Sequence, residues 1–232
     1  MFLLPTAISV SHATLAQTFF ALVSSIALFT SKWWRDEQPR MMESTNQLSL
    51  TKLTFFSTAA IYIQLILGAL MRHSHAGLAV PDFPFAYGQW FPALSPEAIA
   101  GYNRHLEAIG LRIFADDLVT SYQIVIHMLH RMWAFITAGL VIWTANRLRK
   151  FAPQSKRLSI LSLALFILIV IQLTLGAFTV LTQKAVDITT AHVATGASLL
   201  IISVITSLHT VKLFGLAPKP VAVRLSAKEV TA

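Results

Sequence analysis

The 232-residue chain contains no cysteine. That excludes disulfides, thiolate-bound metals and iron–sulfur clusters, so any metal chemistry has to rest on histidine, methionine or carboxylates. Charge is scarce too: 12% of residues are Asp, Glu, Lys or Arg, against about 25% in an ordinary soluble domain. No Lys or Arg precedes Lys32, so the basic opening of a secretory leader is missing and a cleaved signal peptide is not expected.

Apolar residues are abundant instead, at 55% of the chain, with a mean hydropathy of +0.65. Nearly uncharged runs of about 18 or more residues are candidate membrane spans. Five occur, near Ala13–Thr30, Leu53–Met71, Tyr122–Asn146, Leu158–Thr182 and Thr190–Lys212, and only the third holds a clearly internal charge, Arg131. The expected fold class is therefore all-α: a polytopic membrane bundle of five transmembrane helices. Residues 1–31 are read as the first helix, 32–52 as a polar cytoplasmic connector, 53–213 as a four-helix membrane domain and 214–232 as a cytoplasmic tail.

The formal net charge of +8 raises the question of nucleic acid, and its distribution answers it. Lys32, Arg35, Arg40 and Lys52 follow span one; Arg147, Arg149, Lys150, Lys156 and Arg157 follow span three; Lys212, Lys219, Arg224 and Lys228 follow span five. The other connections hold few basic residues. This alternation is the positive-inside pattern, which places the N-terminus outside and the C-terminus in the cytoplasm. Membrane lipid is the implied partner, and nucleic acid is not.

The long outer loop, residues 73–121, opens with HSHAGLAVPDFPFAYGQWFP, whose Gly, Pro and aromatic content suits an irregular cap near the interface. After it, Ser95-Pro96-Glu97 is a helix-start signal. Ile99, Leu106, Ile109 and Ile113 then follow at roughly helical spacing, which predicts an amphipathic surface helix.

A repeat is also visible. QLILGA at Gln64–Ala69, late in span two, recurs as QLTLGA at Gln172–Ala177, late in span four. A weaker echo links SHATLAQTFFALVSSIAL from Ser11 with AHVATGASLLIISVITSL from Ala191. Leu, Gly and Ala recur by chance in membrane helices, but a shared Gln at one offset favours true repetition. Repeated membrane units commonly hold their sites where the repeats meet.

Eight histidines stand out, because ionisable groups inside a membrane are costly and usually functional. On the expected topology His12, His73, His75, His127, His130 and His192 all fall toward the outer side. His130 lies roughly 12 Å along span three at 1.5 Å per residue, and His192 starts span five. Facing imidazoles on neighbouring helices suit axial ligation of haem iron; interhelical hydrogen bonding is the competing explanation. Arg131 is placed to reach a propionate or an acid by snorkelling, with Asp187 as a candidate second contact. His127 shares a helix face with His130 and is expected to line the same pocket. His73 and His75 read equally as surface or functional residues. His105 is expected in the exposed loop, and His209 solvated beside Lys212.

The order and spacing of QLILGALMRHSHAGLAVPDFP, IHMLHRMWA, QLTLGAFTV and AHVATGASLL resemble the haem A synthase family, from Ser11 to about Leu213. Members of that family resemble two fused four-helix halves, each with a pair of haem-ligating histidines. Spans two to five look like the C-terminal, haem-binding half, and span one is similar to the last helix of the N-terminal half. The resemblance implies a haem b cofactor on His130 and His192, with His127 and Arg131 beside it. It also implies haem O as substrate, its methyl group oxidised to the formyl group of haem A for cytochrome oxidase maturation in the bacterial inner membrane. Haem O synthase, cytochrome oxidase or a separate N-terminal half are the implied protein partners.

His12 matches only the second histidine of the family's substrate pair. The first histidine and its acidic neighbour belong to helices with no counterpart here, so a truncated gene product, a late start codon or a split protein is expected. Two other functions compete: a non-catalytic membrane haem-binding assembly protein, and a b-type electron-transfer cytochrome. A cytochrome conducting across the membrane favours ligands at two depths, and the candidates here gather on one side. A transporter is disfavoured by the near absence of charge within the spans.

Overall fold

A computed structural model describes residues 5–36, 49–111 and 118–215. Regular structure there is helical: α1 (Thr6–Thr30), α2 (Lys32–Arg35), α3 (Leu50–His73), α4 (Pro96–Ala108), α5 (Ser121–Arg149), α6 (Lys156–Leu181) and α7 (Val186–Phe214), with one 3₁₀ turn at Ala76–Leu78. The five long helices have 24 to 29 residues, or about 36–44 Å at 1.5 Å per residue. That is enough to cross a hydrocarbon core of about 30 Å. A multi-pass membrane protein results, as the hydropathy predicts. In lipid the backbone has to satisfy its own polar groups, so each apolar run becomes a helix.

The helix starts carry their own signals. Ser49, Ser95 and Ser155 accept from Lys52 N, Ala98 N and Leu158 N. Thr120 and Gln123 form a reciprocal capping box at the head of α5, which satisfies otherwise orphaned amides.

Helices α3, α5, α6 and α7 close into a four-helix ring, each packed on two neighbours in the order α3–α5–α6–α7. Ile61, Val141, Leu158, Leu165 and Leu200 are among the buried side chains of its core. Small hydroxyl residues join the helices: Thr54 to Thr210 at 2.9 Å, Ser57 to Thr144 at 2.7 Å and Thr58 to Ser203 at 2.7 Å. Such contacts let membrane helices approach closely where lipid supplies no hydrophobic drive for association.

Helix α1 lies outside the ring, against α3 and α7. Leu28 is its one buried residue among those described, and a hydroxyl pair, Thr18 and Tyr62, ties it to α3 at 2.5 Å.

Two expectations change at the end of the bundle that carries the basic residues. The connector was expected to run as a polar segment over 32–52, but Lys32–Arg35 is a helical turn and Leu50–Lys52 already belongs to α3. Residues 37–48 lie outside the described residues. His209, expected to be solvated, is fully buried. The cause is α2, which folds back over the helix ends and sets Trp33 and Trp34 against the His209 ring, tilted at 60° and 57°, at centroid distances of 4.4 and 5.4 Å. Arg157 donates to the Trp33 carbonyl and Lys212 to the Trp34 carbonyl.

The opposite end carries a cap with its own small core, including Val80, Ala86, Leu106, Val119 and Ile124. Asp82 accepts from the amides of Tyr87 and Gly88 at 2.9 and 3.0 Å. Tyr87 donates to the Ala79 carbonyl at 2.7 Å and stacks on Tyr102 of α4 at 3.8 Å. Helix α4 starts at the Ser95-Pro96 signal as expected, but it ends at Ala108. Ile109 is 46% exposed and not part of its packed face, because Gly110 turns the chain at φ +70°. Ile113 lies outside the described residues.

Candidate functional site

The cap-end half of the four-helix ring encloses a cavity of about 460 Å3, within the size range of small-molecule and cofactor sites. Its walls are largely apolar, with Ile61, Leu65, Phe135, Ile169, Leu173 and Leu199 among them. The polar lining includes Gln64, His127, His130, Arg131, Gln172 and His192. Each ring helix contributes: α3 its late residues, α5 its early ones, α6 its late ones and α7 its early ones. His130, His192, His127 and Arg131, the residues singled out from the sequence, are thus brought to one cavity. His12 is not; it is exposed on α1. His75 and His105 are exposed, and Asp187 is exposed in the first turn of α7.

Both QLxLGA copies lie against a histidine of the next ring helix. Gln64 Nε2 lies 3.2 and 3.1 Å from Nδ1 and Nε2 of His130 and donates to the His130 carbonyl at 3.1 Å. Gln172 Nε2 lies 3.4 Å from His192 Nε2. The glycine four residues on is equally close: a β-carbon on Gly68 would stand 3.2 Å from His130 Cε1, and one on Gly176 would stand 3.1 Å from His192 Cε1. Each motif therefore cradles the ring on the following ring helix. Gly196, one turn after His192, leaves room for the Gln172 amide, which a β-carbon there would meet at 3.1 Å. The repeat itself was legible in the sequence; its partnership with the two histidines was not.

His127 and Arg131 serve the cap. The His127 ring is buried and its Nδ1–H donates to the Ala76 carbonyl at 2.8 Å. Arg131 was expected to snorkel toward a propionate or an acid. Its terminal nitrogens donate to the carbonyls of Val80, Asp82 and Phe85 at 3.0, 2.6 and 3.0 Å. The guanidinium also lies 5.8 Å from the centroid of Phe83, a cavity-lining ring. A rigid fork of donors is suited to gathering several carbonyls of one loop.

The chemistry of the donor set narrows what this cavity accepts. Among the described residues no group of three or more His, Cys, Asp or Glu side chains gathers to hold a metal ion. Two imidazoles facing one apolar cavity suit a metal whose remaining ligands come with a macrocycle. Four buried polar atoms on its lining residues lack a partner: Gln64 Oε1, Gln172 Oε1, His192 Nδ1 and Arg131 Nε. Such orphans are costly in a purely apolar cavity and fit one that receives a group with polar edges.

The model of the cytochrome oxidase assembly protein family matches residues 3–204. The chain belongs to the cytochrome oxidase assembly protein family. Within that family it is 29% identical over 189 residues to the haem A synthase of Shewanella oneidensis, covering 81% of this chain and 54% of that protein. It is 28% identical over 196 residues to the haem A synthase of Rhizorhabdus wittichii, covering 82% and 50%. The haem A synthase of Halalkalibacterium halodurans is 27% identical over 138 residues, 58% of this chain and 46% of that protein. The chain thus spans about half the length of the curated family members it matches. The family match takes in α1 and the whole cavity, both QLxLGA motifs and all four of its histidine and arginine candidates included.

Proposed function

We propose that this chain holds a haem b between His130 and His192 and works in haem A synthesis, the oxidation of the haem O methyl group to a formyl group for cytochrome oxidase maturation. The observation that carries the reading is the pair of half-buried imidazoles in one apolar cavity, each backed by its own QLxLGA motif. The family and the relatives named haem A synthase supply the reaction. Bound there, the haem supplies a one-electron redox centre.

The protein's own residues do the rest. His130 and His192 would hold the haem iron through their ring nitrogens, and the apolar walls would keep water out. Arg131 and His127 hold the cap, with Phe83 among its residues at the cavity wall. His12, exposed on α1 outside that cavity, is the chain's contribution to a substrate site that further helices complete. Residues 53–213 form the cofactor-holding unit. Lys32, Arg35, Lys52, Arg147, Arg149 and Lys156 sit at or beside one set of helix ends, and by the positive-inside rule that end faces the cytoplasm of a bacterial inner membrane.

The test is a reduced-minus-oxidised spectrum of the purified chain and of its His130→Ala and His192→Ala variants. A b-type spectrum in the parent, lost in each variant, is expected. A normal spectrum in both variants overturns the ligand assignment. For the reaction, haems extracted after coexpression with a haem O supply and with the N-terminal half of a relative should include haem A, and should not when His12 is replaced.

A further inference from the structure

A donor equidistant from both nitrogens of an imidazole lies over the ring face, not on either lone pair. Gln64 Nε2 is in that position over His130, at 3.2 and 3.1 Å, and its bond to the His130 carbonyl fixes the amide there. The contact covers a face and leaves the in-plane lone-pair directions open. Gly68 meets the ring at Cε1, with Nδ1 next nearest at 3.8 Å from the would-be β-carbon. At the second copy the same order holds: Gly176 meets His192 at Cε1, with Nδ1 next at 3.7 Å. Gln172 Nε2 stands at 3.4 Å from Nε2, held in the space beside Gly196. Both rings therefore offer the same edge to the same glycine of the same motif.

We infer that the two QLxLGA motifs are clamps that set the rotation of the His130 and His192 ring planes, so that Gln64, Gly68, Gln172 and Gly176 are positioning residues for the axial ligands. The inference rests on the haem reading above. Groups around a metal-bound histidine commonly fix its ring orientation. Here the fixing is steric: the glycine meets the Cε1 edge of each ring, and the Gln64 amide lies over the face of His130. A methyl group on Gly68 or Gly176 has to displace the ring edge, since contacts near 3.1–3.2 Å are shorter than the roughly 3.5–4.0 Å at which carbon atoms pack.

The angle between two axial imidazole planes governs the splitting of the iron d orbitals in a low-spin ferric haem, and with it the highest g value in electron paramagnetic resonance. The experiment records that spectrum for the haem-loaded chain and for Gly68→Ala, Gly176→Ala, Gln64→Leu and Gln172→Leu. Gly139→Ala is the control: it lies on the same helix as His130, and a β-carbon there meets nothing within 4 Å. A shifted highest g value in each clamp variant, with the control at the parent value, is expected. Where an alanine expels the haem, the leucine variant of the same motif, which keeps the bulk and loses only the amide, decides. Haem-loaded variants that all share the parent value overturn the clamps and leave the haem reading standing. A parent chain that binds no haem overturns both.

Discussion

A terminal nitrogen of Arg131 lies 2.6 Å from the backbone carbonyl oxygen of Asp82, a residue 49 positions earlier in the chain. Two further carbonyls of the same loop, Val80 and Phe85, accept from the same guanidinium. One intramembrane arginine therefore holds the loop that brings Phe83 to the cavity wall.

Replacing Arg131 by Met keeps much of the stem packing and removes all three bonds. Bonds to a charged donor contribute about 1.5–3 kcal/mol each, and part of that returns as the freed carbonyls find water. Faster hydrogen exchange over residues 79–91 is the expected outcome, with α6 and the basic-end half of α7 unchanged. Uniform exchange across the whole chain would show that Arg131 supports the bundle and not the cap.

His127→Leu leaves the Ala76 carbonyl without its donor at a fully buried position, at a cost of about 1–3 kcal/mol. The variant should unfold at lower temperature in detergent while keeping its b-type spectrum. Loss of the spectrum with unfolding unchanged would instead make His127 a ligand.

Thr54 and Thr210 join α3 to α7 through hydroxyls 2.9 Å apart, both fully buried. Interhelical hydrogen bonds in membranes average about 0.6 kcal/mol. A double-mutant cycle with valine at both positions should return a coupling of that order. A coupling of zero would mean that this pair adds nothing beyond packing, leaving Thr58–Ser203 as a hydroxyl contact between the two helices.

Tyr87 makes the cap sensitive to alkali. Burial, then Asp82, then Tyr102 push its pKa up from the ordinary value of 10.0. The folded cap thus holds the phenolic proton more tightly than the unfolded chain. Its stabilising contribution is complete below about pH 10, the unfolded value, and declines as pH rises toward the folded value. Proteolysis within residues 79–91 should therefore accelerate above about pH 10. In Tyr87→Phe, which also loses the bond to the Ala79 carbonyl, cleavage should be faster at neutral pH and less dependent on alkali. An equal alkaline response in both proteins would assign it to other groups.

Much of the architecture was readable before the fold. The spans, the start of α4 at Ser95-Pro96 and the gathering of His127, His130 and His192 follow from local rules: lipid demands long apolar helices, Ser-Pro opens a helix, and spans of alternating direction bring alternating ends together. The end of α4 was misjudged because apolar spacing continued through Ile109 while Gly110 ended the helix. His209 was misjudged because its burial comes from Trp33 and Trp34, far away in sequence. Arg131 was expected to reach a propionate or an acid; three loop carbonyls accept from its terminal nitrogens while Nε stays without a partner, and no sequence pattern marks a carbonyl as an acceptor.

The sequence by itself determined the membrane helices, their alternation, the repeated QLxLGA motif and the family. The tertiary structure decided which faces look inward. In water, polarity marks the outer face of a helix; in lipid both faces are apolar, and exposed Phe166 and Ile167 on α6 look no different in composition from buried Leu165 and Ile169. Only packing turns Gln64 onto His130, 66 residues away, and Gly176 onto His192. It also sends neighbouring His127 and His130 to different partners, one to a cap carbonyl and the other to a glutamine amide.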